Sequence, residues 1–180
     1  MVITKCWFLG FVVRDRTYVF SLYRNPDLDH WIFDCLLTSM AAVQAEDVGA
    51  SFLLVCNLNG QDQEWLGSTT TNRHGVAAFD FATASGCDQL VVGPTHVRGG
   101  TLDLLMTDVP DQVWVSVVVP IGNSDHSYLS AVISRLTLFQ TCVLVGKFSL
   151  NIKLIIIQFV VQCRIRSGVT FGLLTILLRF

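Results

Sequence analysis

Asp125 and His126 stand side by side in the run Gly122-Asn123-Ser124-Asp125-His126-Ser127. The pair offers a carboxylate for a hard cation and an imidazole that moves a proton near neutral pH. The run leads straight into Tyr128-Leu129-Ser130-Ala131-Val132-Ile133, whose alternation reads as a β-strand with one buried face. Neighbouring side chains on a strand point to opposite faces, so these two cannot simply pair with each other. Each needs a partner from elsewhere in the chain. Three polar junctions of the same kind lie upstream: Tyr23 before the turn Arg24-Asn25-Pro26-Asp27, Asn57 and Asn59 after an apolar run, and Asp103 within another. Strand ends hold side chains still, as ligands and catalytic groups require. A histidine held by one carboxylate, with a second carboxylate free for a hard cation, fits metal-assisted phosphodiester hydrolysis.

The elements that must carry these residues follow from the pattern. Residues 6–13 and 17–23 are β-rich runs split by Arg14-Asp15-Arg16 and read as a hairpin. Ile32, Leu36, Met40 and Val43 recur at helical spacing, so an amphipathic helix is expected over 31–46, with Asp29 as its N-cap and Gly49 at its exit. Residues 51–56 form a continuous apolar strand buried on both faces. A polar loop over 61–75, anchored by Trp65, precedes a short helix over 76–84 that stops at Gly86. Strands are expected at 88–92, 101–106, 113–119 and from Tyr128 onward. Strands that follow two helices suggest a strand-rich α/β sandwich.

The charge distribution divides the chain. All 14 acidic residues lie between Asp15 and Asp125, whereas 136–180 carry five Lys and Arg and no acid. Such a break argues that the two parts do not share one surface. Residues 1–135 are read as the domain and 136–180 as an apolar, basic tail outside it. No apolar run in the tail reaches the ~18 residues of a membrane helix, so membrane association is the lesser reading of it. The six cysteines show no CxxC spacing and no Cys/His ligand pattern, which argues against a zinc site and favours a reducing, intracellular compartment. An excess of acid over base in 1–135 is also poor for gripping DNA.

Taken in order, Tyr23-Arg24-Asn25-Pro26, Cys56-Asn57-Leu58-Asn59-Gly60, Trp65-Leu66-Gly67, Pro94-Thr95-His96 with Thr101-Leu102-Asp103, and Ser124-Asp125-His126 resemble the endonuclease/exonuclease/phosphatase superfamily. The resemblance is closest to the apurinic-type endonuclease domain of non-LTR (LINE-like) retrotransposons and covers about residues 11 to 135. It implies a partial four-layer αββα sandwich (DNase I-like), with an unrelated hydrophobic C-terminal tail. It also implies a nuclear protein that cuts DNA with Mg2+. Carried over, His126 is the histidine beside the scissile phosphate and Asp103 orients it. Asp125 lies in the metal region. Tyr23 and Asn59 contact the phosphate or steady the transition state, whose added charge needs donors already in place.

The departures shape the functional expectation. The family's Gly-Asp-x-Asn stands here as Cys56-Asn57-Leu58-Asn59, so the residue that would align the attacking water is an amide at Asn57. Loss of a general base removes about 10²–10⁴ in rate. The family's N-terminal strands, with an asparagine and the metal-binding glutamate, have no counterpart; Glu46 and Glu64 are the only glutamates. The expectation is thus a truncated, degenerate endonuclease, inactive as written. Two other functions remain open: a non-catalytic interaction protein that uses an exposed sheet edge, and a small membrane-associated protein anchored by its tail. Asn57-Leu58-Asn59-Gly60 also reads as a plain turn, and Asp103 as polarity at a sheet edge. His74 and His96 read as loop residues and His30 as a first-turn helix residue, none with assigned chemistry. Ser124 has no base placed for it and is not a nucleophile candidate.

Overall fold

The computed structural model describes residues 6–13, 16–27, 29–120, 124–133, 156–158 and 172–177, with backbone alone for the first and the last two of these segments. β1 (Cys6–Val13) and β2 (Thr17–Arg24) form the expected hairpin. α1 (Trp31–Glu46) follows and buries Ile32, Phe33, Leu36 and Met40. Its start differs from expectation. His30 occupies the N-cap without a side-chain cap bond, and the Asp29 carboxylate accepts its neighbour His30's own N–H instead.

β3 (Ser51–Asn57) is buried from Phe52 onward, as a strand covered on both faces must be. α2 (Arg73–Ser85) begins three residues before the expected start because Asn72 caps it: Asn72 Oδ1 accepts the N–H groups of His74 and Gly75. Gly86, at φ 66°, ends it in the left-handed conformation. Gly75 is required by contact. A Cβ there would lie 2.0 Å from the Gln61 carbonyl oxygen, so the helix start and the loop after β3 sit backbone to backbone.

β4 is only Asp88–Gln89, shorter than expected, since beyond it the Gln89 side chain bonds both the N–H and the C=O of Val91. β5 (Asp103–Thr107) begins at Asp103 rather than enclosing it. A 3-10 turn (Pro110–Gln112), β6 (Val113–Val118) and β7 (Tyr128–Ile133) follow.

The first sheet runs β1-β2-β3-β5-β4. One of its faces meets both helices in a core of Phe20, Leu22, Phe52, Leu54, Cys56, Leu104 and Met106 with Phe33, Leu36 and Phe81. The other face meets β6 and β7: Val19, Leu53, Val55 and Leu105 pack with Val113, Leu129, Ala131 and Ile133. Burying each such side chain contributes about 1.5–3 kcal/mol. The result is a DNase I-like α/β layering of helices, sheet and sheet. Among the described residues, helices cover one outer face only.

The second sheet continues through β9 (Gly172–Leu177), which pairs with β7, and β8 (Ile156–Gln158), which pairs with β9. These strands come from the segment expected to stand apart. The expected boundary at Arg135 lies outside the described residues. The rest of 136–180 lies outside the described residues. No helix among those described is long and apolar enough to cross a membrane.

Candidate active site

β2 pairs with β3 in parallel, with Tyr23 beside Asn57, and β3 pairs with β5 antiparallel, with Asn57 beside Asp103. Registered neighbours share a face, so Tyr23, Asn57 and Asp103 form a row across three strand ends. That face looks toward the second sheet, because Val55 and Leu105, two positions away on the same strands, belong to the inter-sheet core. The row thus sits where the apolar contact between the sheets gives way to polar groups.

Asp103 is 1% exposed, and three bonds hold it. Its Oδ1 accepts from Asn57 Nδ2 at 2.8 Å, and its Oδ2 lies 2.7 Å from His126 Nδ1. Its backbone N–H donates to Thr95 Oγ1 at 3.0 Å, and the Leu102 N–H donates to the same oxygen. The Asn57 amide is fixed from its other end, where Oδ1 accepts the Asn59 N–H at 3.2 Å. Asn59 adopts φ 48°, a left-handed conformation that asparagine tolerates better than most residues, and donates Nδ2 to the Arg24 carbonyl at 2.7 Å. The wholly buried Arg24 donates Nε to the Leu58 carbonyl at 2.7 Å, so it clamps the turn that presents both asparagines.

Asp125 and His126 diverge as strand geometry requires, although 124–127 precede β7 rather than belonging to it. His126 turns inward to Asp103. Asp125 turns to a residue that the sequence reading left without chemistry: His96 Nε2 lies 3.5 Å from Asp125 Oδ2. The two loops are laced together by Val97 N–H to the Asp125 carbonyl at 2.9 Å and Ser127 N–H to the Thr95 carbonyl at 2.8 Å. These bonds set the His96 and His126 rings edge to face, with centroids 4.7 Å apart. The sequence signalled that Asp125 and His126, pointing apart, each require a partner, but it did not single out His96 as that of Asp125.

The hydrogen bond that His126 Nδ1 donates to the Asp103 carboxylate raises the His126 pKa above the ordinary 6.5, and burial opposes it. Asp125 is held below the usual carboxylate value, chiefly by its own backbone N–H and then by the two histidines. His126 Nδ1 is engaged by Asp103, so the orientation of the imidazole is fixed from the buried side. Asp103, Asn57 and His126 therefore form one bonded chain, and Asp125 joins through His96. Tyr23 shares the row by register, while Asn59 turns its Nδ2 to the main chain of β2.

No protein-family model matches the sequence, and no curated protein does. Among solved structures, the chain is similar to the endonuclease domain of TRAS1, a telomere-specific non-LTR retrotransposon. The TM-score is 0.54 and the identity 16%, over 74% of this chain and 64% of that one. The present chain thus spans under two thirds of that domain. At this identity the likeness shows a shared fold, and the bonded chain of Asp103, Asn57 and His126 is an observation independent of it.

Proposed function

We propose that this chain is an endonuclease-type domain of mobile-element origin that binds DNA and has little or no capacity to hydrolyse it. The observation that carries this reading is the Asp103–His126 contact at 2.7 Å, placed at the strand ends with Asn57 on the opposite carboxylate oxygen. A buried carboxylate that orients an imidazole fixes its tautomer and position, as a proton-transfer group beside a phosphate requires. In this role Asp103 is the positioning residue and His126 moves the proton. Asn57 holds Asp103 but cannot accept a proton. Tyr23 belongs to the row where a phosphate would lie, and Asn59 stands beside it with its Nδ2 held by the Arg24 carbonyl. Work on DNA would place the chain in the nucleus.

The residues fit Mg2+ poorly. Both oxygens of Asp103 are engaged, which leaves Asp125 as the sole carboxylate among the described site residues for a hard cation. Mg2+ dehydrates reluctantly and is normally held by one or two carboxylates together with phosphate oxygens. An amide at 57 and one exposed carboxylate at 125 therefore both favour low activity.

A supercoiled-plasmid assay with Mg2+ or Mn2+, run beside a gel-shift titration with the same DNA, tests both halves. Salt-sensitive DNA binding with nicking at background is expected. Absence of DNA binding would remove the endonuclease reading. Robust nicking that His126→Ala abolishes would remove the inactivity.

A further inference from the structure

We propose that His96, Asp125 and His126 form a binding site for a borderline divalent transition-metal ion, with Zn2+ as the probe. The inference rests on the geometry of these three residues and not on the endonuclease reading. One ligand atom from each lies within 4.8 Å of the others, close enough for small side-chain movements to bring them onto one ion. Two imidazoles and a carboxylate, with a remaining position open to solvent, match the three-ligand sets that hold Zn2+. Imidazole nitrogens favour such ions over Mg2+, which prefers oxygen donors.

A second observation concerns what stands behind the ligands. A histidine that ligates through Nε2 gives its Nδ1–H to a carboxylate or carbonyl, which fixes the tautomer and raises ligand basicity. His126 already has this arrangement, since Nδ1 faces the buried Asp103 carboxylate at 2.7 Å. Asp103 is itself held by Asn57 and Thr95, so the imidazole is braced before any ion arrives. His96 is arranged differently. Its Nδ1 accepts the Arg98 N–H at 3.1 Å, which puts the neutral ring's proton on Nε2, toward Asp125. Entry of the ion moves that proton to Nδ1 and releases the exposed Arg98 N–H to water, so one surface hydrogen bond is exchanged for a coordinate bond. Both rings are mostly buried, with side-chain exposures of 14% for His96 and 12% for His126, whereas Asp125 at 68% leaves the ion a route in. Spacing could not reveal this site, because residues 96 and 125 come together only through the lacing of two loops.

An ion held by the His126 imidazole would compete with the proton transfer proposed above.

The test is calorimetric titration of the full chain with Zn2+, with Co2+ absorption as the reporter of geometry. One equivalent should bind, Co2+ should give the visible bands of a tetrahedral or five-coordinate ion, and a large excess of Mg2+ should not displace it. His96→Ala and Asp125→Ala should each weaken binding by more than about tenfold, since loss of an outer partner alone costs ~10-fold or more. The neighbouring pair His30 and His74, 3.1 Å apart, is the control, and His30→Ala should leave the titration unchanged. In the unaltered chain, imidazole nitrogen NMR should show Zn2+ shifting His96 and His126 but not His30 or His74, a readout that needs no variant to fold. Zn2+ binding that ignores His96→Ala, shifts confined to His30 and His74, or ready displacement by Mg2+ would each overturn the proposal. None of these readouts depends on nicking, so this site and the endonuclease reading can fail separately.

Discussion

Two histidine–aspartate pairs lie within one small region and share almost no physics. In the inner pair, Asp103 is 1% exposed, sits 2.7 Å from His126, and is braced by a side-chain amide and a threonine-held main chain. In the outer pair, Asp125 is 68% exposed and lies 3.5 Å from His96. Burial makes the difference. Where water is excluded, neither carboxylate oxygen can be left without a donor, so every partner is committed. At the surface water substitutes freely, and the carboxylate remains available to something else. The inner pair is framework that fixes an imidazole; the outer pair is adjustable.

Removal of the inner carboxylate gives the largest expected effect. Asp103→Ala deprives His126 and Asn57 of a shared buried acceptor, and the urea midpoint should fall by the equivalent of about 3–5 kcal/mol. A midpoint unchanged by Asp103→Ala would erase the distinction between the pairs.

Asn57→Asp comes next and sharpens the contrast. It replaces the donor at 2.8 Å from Asp103 Oδ1 with a second carboxylate, which needs a shared proton or a cation between them. Without added metal the variant should lose about 1.5–3 kcal/mol, and Mg2+ should recover part of the loss in a thermal-shift titration. Nicking should stay at background. Activity from this substitution alone would mean that a donor outside the described residues completes the site.

The pairs should also differ in pH signature. His126 has a raised pKa in the folded chain, so its contribution is present in full below its ordinary 6.5 and fades as pH rises through the raised value. Asp125 is lowered, so its contribution holds above the ordinary 3.8 and is lost only as pH falls through the depressed value. Urea midpoints of the parent and His126→Gln, compared across about pH 5 to 8, should therefore converge as pH rises. A gap that widens with pH would reverse the assignment.

The smallest effect belongs to Asp125→Asn, which should leave the midpoint within experimental error at neutral pH. A loss comparable to that of Asp103→Ala would show that the outer pair is framework too.

Much of this was legible in sequence. The 31–46 helix follows from the spacing of Ile32, Leu36 and Met40, and the buried β3 from its unbroken apolar run. His126 stood out as a polar residue just before an apolar strand, and Asp103 as one expected within a strand that in fact begins at it. Local chemistry misled where side chains competed for the backbone. Asn72 began α2 early, and Gln89 curtailed β4 by bonding Val91. His96 was invisible for a different reason: its role arises from two loops aligned by main-chain bonds, and no pattern within either loop encodes that alignment.

The bonds that make the site span long stretches of chain, 46 residues from Asn57 to Asp103 and 23 from Asp103 to His126. Closing such loops costs entropy before any contact repays it, and contacts of this range form late in folding. The β1–β2 hairpin and α1 can organise as soon as they leave the ribosome, whereas Asp103 must wait for the strand that follows His126. Until β7 docks, a carboxylate destined for full burial stands at the open end of a half-covered sheet. The site's assembly is therefore a late kinetic event, and the partly synthesised chain passes through a state in which the apolar face of β3 and β5 is exposed to wrong partners.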